Sequence, residues 1–333
     1  MNHFSATNAV RSIFGALAFV LSILLSAQAM AFDVGGLSYA VTSVTDVEVT
    51  GRAAGNTDTA IVIPATASDG ATTYSVETIG SNAFSSDALT SVIIPDSVTT
   101  IGTYAFFGTS GLTSVIIPDS VTTIDEGAFW NSGITSVTIG NSVTTIVGSA
   151  FRSTALTSVI IPDSMTTIQG QTFYQSGALA SVTIPDSVTT IEFDAFYQNA
   201  LTSVTIPDSV TTIGDNAFNS NALTSVIIPD SVTSIGQGAF QNNALTGAAF
   251  EGNFGIFNLD MFIINPTLST ITYCEGTTGW PQTFNNGTTD ITTTSIVCAA
   301  PAAATPVPTS PLWLLGIMAG LLSLVGIGKL RKA

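Results

Sequence analysis

A phenylalanine returns every 22 or 23 residues through the middle of this chain, at Phe84, Phe106, Phe129, Phe151, Phe173, Phe196, Phe218 and Phe240. A second column, Leu89, Leu112, Ile134, Leu156, Leu179, Leu201, Leu223 and Leu245, keeps step with it, and so does a third running from Ile101 to Ile235. A fixed period of this length is the mark of stacked units. Each unit is too short to bury its own apolar face. Neighbours must supply the missing cover, and the stack then shares one continuous core. Two separate globular domains, the usual expectation for 333 residues, are overruled by this register.

One unit reads Leu89-Thr90-Ser91-Val92-Ile93-Ile94-Pro95-Asp96-Ser97-Val98-Thr99-Thr100-Ile101-Gly102. Side chains alternate across a strand, so Val92 and Ile94 point in and Ile93 points out. Pro95 lacks an N–H and ends the strand. Asp96-Ser97 is turn chemistry. Val98 and Ile101 are spaced for a tight turn or 3₁₀ segment with both side chains inward. Ala105-Phe106 closes the coil, and the small alanine leaves room for the ring, so the Phe column should form an aromatic spine. In unit three Gly140-Asn141 replaces Pro-Asp, which loosens a turn without changing the period.

Leu89, Val92 and Ile94 match the L-x-x-L-x-L core of a leucine-rich repeat, with Ser97 where Asn usually stands. The recurring block L-T-S-V-x-I-P-D-S-V-T-x-I-G-x-x-A-F resembles the BspA-like leucine-rich repeats of bacterial surface proteins. The expected fold is mainly β: a leucine-rich-repeat solenoid of about eight 22–23-residue BspA-like repeats over 79–250, with an N-terminal cap at 32–78 and a C-terminal cap at 251–298. An uncapped solenoid would expose unpaired strand edges. The resemblance implies binding or adhesion outside the cell. It implies neither an activity nor a particular ligand.

Charge removes several function classes. Only 8% of the chain is charged, against about 25% in ordinary domains. Between residues 32 and 311 the bases are Arg52 and Arg152 alone, whereas all 22 acids lie there, giving 2 − 22 = −20. Nucleic-acid binding needs phosphate-neutralising Lys and Arg that this stretch lacks. The single histidine, His3, lies outside it. No Ser-His-Asp or Cys-His system, no lysine Schiff base and no His-ligated zinc can be built. No cofactor is expected.

The two ends read as addresses. Residues 1–31 resemble a secretory signal peptide: Arg11, an apolar run from Ile13 to Leu25, then Ala27-Gln28-Ala29 or Ala29-Met30-Ala31 as cleavage site, the latter preferred. A retained anchor helix is the alternative. Residues 299–311 form a Pro/Ala/Thr linker. Residues 312–333 hold an uncharged run, Leu312 to Gly328, followed by Lys329-Leu330-Arg331-Lys332, a membrane helix with its basic end held in the cytoplasm. Val307-Pro308-Thr309, Pro311-Leu312-Trp313, the helix and the tail together resemble the bacterial PEP-CTERM and IPTL-CTERM sorting signals. A plain single-span anchor is the alternative. Both place the repeats outside the inner membrane, with membrane contact through the C-terminal helix at least in transit.

Several columns are candidate sites. The residue after each Phe gives Phe107, Trp130, Arg152, Tyr174 and Tyr197 on consecutive rungs, a ladder suited to a sugar face or a protein surface. The bland alternative is edge packing over the Phe spine. The strand face carries Ser91 and its equivalents beside outward Ile93, Ile116, Ile160 and Ile227, either a contact surface or a solvated sheet. Asp96, Asp119, Asp163, Asp186, Asp208 and Asp230 read as turn caps, with calcium as the lesser alternative. Paired threonines such as Thr99-Thr100 allow a remote ice-binding reading. Asp125, Glu126, Glu192, Asp194 and Asp215 lie off the consensus and would serve a carboxylate-only glycoside hydrolase. Cys274 and Cys298 are expected to form a disulfide in an exported chain, a redox or metal pair being the alternative. The function expected is a non-enzymatic surface scaffold that binds an extracellular protein or polysaccharide. A self-associating matrix component is the main alternative.

Overall fold

The structure, a computed structural model, describes residues 30–252, 259–274, 283–285 and 290–296. Most of the expected signal peptide, the linker, the C-terminal apolar run and Cys298 lie outside these residues.

Each repeat makes three backbone sides. The first is a short strand such as Ser91–Ile93, Ser114–Ile116, Ser136–Thr138 or Ser158–Ile160, buried only at its central residue or half-buried there. This alternation is the one the sequence dictates, with Val92 inward and Ile93 outward. Equivalent residues pair in parallel, for example Val115 with Val137 and Val159 with Val182.

The second side differs from expectation. Val98 does sit in a tight turn, its N–H donating to the Pro95 carbonyl at 3.1 Å. Ile101, however, lies in a two-residue strand, Thr100–Ile101, rather than in the same turn. Parallel ladders join Ile79, Ile101, Ile124 and Ile146 in one run and Ile168, Ile191, Ile213 and Ile235 in another. The ladder wins over the 3₁₀ turn because each N–H then finds a carbonyl on the neighbouring rung.

The third side carries the phenylalanines. Backbone N–H groups alternate: Asn82, Phe84 and Ser86 donate to Thr103, Ala105 and Phe107 of the next rung, while Ala83, Ser85 and Asp87 donate back within their own turn. The alternation requires left-handed residues two before and two after each Phe, as at Asn82 (φ 58°) and Ser86 (φ 59°). These positions hold mostly Asn, Ser, Gln and Gly, which tolerate that region best or bond locally.

The aromatic spine is present. Rings from Phe84 to Phe240 stack face to face with centroids 5.1–5.7 Å apart. It gains a ninth member, Phe262, from the 3₁₀ turn Leu259–Phe262, 5.8 Å from Phe240 and within the stretch expected as C-terminal cap. Each ring is fully buried, worth about 1.5–3 kcal/mol by area. Stacked pairs add roughly 0.5–1.5 kcal/mol.

The first-unit end is closed by a meander, Ala31–Val34, Leu37–Val41 and Asp46–Arg52, whose last strand pairs in parallel with Thr73–Ile79. Gly35 and Gly36 (φ 60° and 79°) make its two-residue hairpin, a turn that needs positive φ at both positions. At the other end Thr270–Cys274 pairs with Asp290–Ile296, which Thr283–Asn285 covers antiparallel. Among the described residues no helix is long and apolar enough to cross a membrane.

Candidate functional site

The residue after each spine Phe from Phe84 to Phe240 lies half-buried on consecutive rungs of the third side, apart from the buried Asn219. The structure brings all five candidates into contact. Phe107 meets Trp130 edge-on at 5.6 Å. The Arg152 guanidinium carbon lies 4.6 Å from the Trp130 ring centroid and 4.4 Å from that of Tyr174. Tyr174 then stacks on Tyr197 at 5.0 Å, with planes 14° apart. Each cation–π contact contributes about 0.5–1 kcal/mol at an exposed site and more when desolvated.

Sequence reasoning missed Tyr104 in this ridge. Its ring contacts Phe107 at 5.8 Å and Trp130 at 6.0 Å. Among the described residues it is also the one aromatic in a left-handed conformation (φ 55°). Gly127 makes room for it: a Cβ there would fall 2.3 Å from the Tyr104 ring. The available signal was that Gly127, one rung on, occupies the same column. Beyond Tyr197 the column turns polar. Asn219 Nδ2 donates to Gln241 Oε1 at 3.3 Å.

Stacking has a chemical consequence. The facing sides of Tyr174 and Tyr197, and the sides of Trp130 and Tyr174 against Arg152, are taken up within the ridge. A sugar cannot lie flat on a face already covered. What these residues offer outward is edges, phenol hydroxyls and guanidinium N–H groups.

The strand face is apolar where expected: Val62, Ile93, Ile116, Ile160 and Ile227 are 54–71% exposed. Residues 203–205 join no ladder, and a groove of about 280 Å³ opens there between Thr205 and Ile227.

The aspartates do not cap their turns. Of the column, only Asp119 accepts a hydrogen bond, from Asn141 N–H at 2.7 Å. The turn is closed by backbone, Val98 N–H to Pro95 O, and the serine beside the aspartate ties it to the preceding rung, as when Ser97 Oγ donates to Val76 O at 2.7 Å and Ser120 Oγ to Val98 O. The exposed threonines are spent likewise, Thr211 Oγ1 donating to Thr189 O at 3.1 Å. Among the described residues no cluster of three or more His, Cys, Asp or Glu could hold a metal ion.

Three of the five off-consensus acids tie rungs together. Glu192 accepts from Gly170 N–H at 2.9 Å, Asp194 from Gln171 Nε2 at 3.3 Å, and Asp215 from Gln237 N–H at 2.7 Å. The expected Cys274–Cys298 bridge involves a residue outside the described ones.

A polar column three residues after each Phe from Phe106 onward, buried at all but the half-buried Asn221, was also missed. It runs through Thr109, Ser132, Thr154, Ser176, Asn199, Asn221, Asn243 and Asn265. Asn265 Nδ2 donates to both Phe240 O and Phe262 O, at 2.9 and 2.8 Å. Next to a turn such residues look like solvated loop, which hid them.

Parallel ladders at a 22–23-residue period, a strand with L-x-x-L-x-L burial and one shared core define a leucine-rich-repeat solenoid. The chain belongs to the BspA-type leucine-rich repeat family, whose pattern matches residues 77–201 and 189–298 in six copies. A leucine-rich repeat protein from Bacteroides ovatus is similar in structure, at 25% identity and TM-score 0.59, covering 73% of this chain and 70% of that one. A leucine-rich cell surface protein from Faecalibacterium prausnitzii is similar at 28% identity and TM-score 0.53, covering 74% and 83%. No curated protein matches the chain.

Proposed function

We propose that this protein is an exported, non-enzymatic surface scaffold that binds an extracellular protein or polysaccharide along the ridge Phe107, Trp130, Arg152, Tyr174 and Tyr197. One observation carries this. On five consecutive rungs the position after the spine holds large rings or arginine in mutual contact, where other rungs hold Ser85, Asn219 or Gln241. A purely structural column would not need such side chains only there. Rigid aromatics and Arg are the residue types that dominate binding energy at interfaces. Repetition along the stack favours polyvalent engagement. The test compares native protein with Trp130→Ala plus Tyr174→Ala on glycan and protein arrays at physiological salt. We expect a binder for the native chain and at least a tenfold loss in the double variant. Absence of any binder, or no loss, removes the assignment.

Export is part of the proposal. The similarity to a leucine-rich cell surface protein from Faecalibacterium prausnitzii supports it. The N-terminal strand supports the earlier of the two cleavage points. Ala31 pairs with Ala40, and Val41 N–H donates to Met30 O at 3.0 Å. Cleavage after Ala29 would keep both contacts, whereas cleavage after Ala31 would remove them. The C-terminal helix with its basic tail is proposed as sorting signal or anchor.

A second reading is self-association through the strand face, favoured by its exposed isoleucines and its lack of charge. Light scattering of the purified protein discriminates: a strictly monomeric solution removes it.

A further inference from the structure

The folded stretch has two cations, and they are treated differently. Arg52 Nε lies 3.0 Å from Asp87 Oδ2, an ion pair. Arg152 makes none among the described residues, although 22 acids share the chain with it. Its Nη1 donates to Gln171 Oε1 at 3.4 Å, and its Nε is buried with no acceptor. Nη2 has no partner and is not shut away from solvent. The left-handed positions of its own and the next rung, Ser149, Ser153, Gln171 and Gln175, are all neutral. The carboxylate that reaches this network, Asp194, takes the Gln171 amide at 3.3 Å instead of the guanidinium.

The clamp between Trp130 and Tyr174 fixes the guanidinium plane. A fixed, uncommitted guanidinium edge matches a carboxylate, which accepts two parallel N–H bonds. Tyr174 and Tyr197, on the next two rungs, carry phenol hydroxyls that can bond to hydroxyl groups. Both faces of Tyr174 and the Arg152-facing side of Trp130 are consumed by stacking, so recognition beside the guanidinium goes through charge and edges. A charge near −20 on the surrounding fold repels dense polyanions and acidic peptides. A ligand with one negative charge amid neutral hydroxyls avoids that cost.

We propose that Arg152, held by Trp130 and Tyr174, binds the single carboxylate of an acidic sugar, such as a uronic acid ending an otherwise neutral oligosaccharide. This rests on the reading of the ridge as the partner-binding face.

The test uses the full chain with three probes: a glucuronate-terminated neutral oligosaccharide, the same oligosaccharide ending in glucose, and a polyglutamate peptide. Binding is followed by calorimetry and by tryptophan fluorescence. The acidic sugar is expected to bind at least tenfold more tightly than its neutral counterpart. Arg152→Gln should abolish that preference, and Arg152→Lys should recover only part of it. The fluorescence change should vanish in Trp130→Phe. Circular dichroism of each variant keeps a folding defect from passing as lost binding. Equal binding of both sugars, or binding unchanged in Arg152→Gln, overturns the carboxylate site and leaves the ridge standing. Preference for polyglutamate overturns the sugar assignment. Failure of all three probes while an array binder still depends on Trp130 and Tyr174 also overturns the inference alone. Failure of the probes together with the array test removes ridge and site at once.

Discussion

Asn243 shows what one side chain does in a stack. Its Nδ2 donates to Phe218 O and Phe240 O, both at 3.0 Å, and its Oδ1 accepts from Leu223 N–H at 3.0 Å. One amide thus satisfies backbone groups on two successive rungs inside a dry interior. Ser132 occupies the same column, yet its hydroxyl is buried without a partner. The column therefore predicts opposite outcomes for the same change. Asn243→Ala strands an N–H and weakens two carbonyls, and each buried orphan costs about 1–3 kcal/mol. A loss of roughly 2–4 kcal/mol is expected in urea unfolding followed by circular dichroism. Ser132→Ala removes an unpaired polar atom and should fall within about 0.5 kcal/mol of the native protein. Equal costs for the two would refute the accounting. None of this was legible beforehand. Asn, Ser and Thr beside turns have several bland uses, and nothing local says that the hydroxyl or amide faces inward.

Elements were legible to the extent that period alone decides them. The alternation around Val92 gave the first side, and the recurrent Ala-Phe pair gave the spine. Ile101 was misjudged because a two-residue strand is too short to show an alternation of its own. Only the neighbouring rung makes it a strand. The N-terminal cap is held by short carboxylate turns that have no period at all, one in the meander at Asp46 and one at Asp69, just before Thr73–Ile79. Asp46 is kept below the ordinary aspartate value of 3.8 first by Ser43 and then by Thr45, whose hydroxyl lies 2.9 Å away. Asp69 is lowered too, chiefly by the Thr72 and Ala71 N–H groups at 2.8 Å, with further help from the Tyr74 hydroxyl. A carboxyl lowered on folding contributes stability above its unfolded value, and that contribution is lost as pH falls through the folded one. The N-terminal cap should therefore loosen ahead of the repeats as pH drops below about 4. Hydrogen exchange, corrected for intrinsic rate, should show protection falling further over residues 38–79 than over 100–250 between pH 7 and pH 3. Asp46→Asn with Asp69→Asn should flatten that difference. Uniform loss along the chain would count against local carboxylate control.

At the scale of the whole repeat unit, register was the part of the fold written most plainly, because parallel ladders tolerate no slip. The candidate ridge was legible as a column but not as a geometry. Which ring faces are covered depends on how Trp130, Arg152 and Tyr174 interleave, and spacing carries no rotamer. Charge is the remaining property of the whole. Asp96, Asp119, Asp163, Asp186, Asp208 and Asp230 stand exposed in one column, and only Asp119 is engaged by a hydrogen bond. Rungs of paired strands lie about 4.7–4.9 Å apart. Neighbouring carboxylates at that spacing repel by about 0.8 kcal/mol each in water. Four adjacent pairs, Asp96–Asp119, Asp163–Asp186, Asp186–Asp208 and Asp208–Asp230, give an upper bound of roughly 3 kcal/mol. Salt shortens the screening length from about 30 Å at 0.01 M to about 3 Å at 1 M. Unfolding spreads the acids apart, so screening favours the native state. The urea midpoint should rise between those salt concentrations, by the equivalent of roughly 1–3 kcal/mol. Asp186→Asn with Asp208→Asn removes three of the four pairs and should erase most of the rise while raising the low-salt midpoint. A midpoint indifferent to salt in the native chain would mean that the column is already neutralised, and the same titration repeated with calcium would then show no further gain.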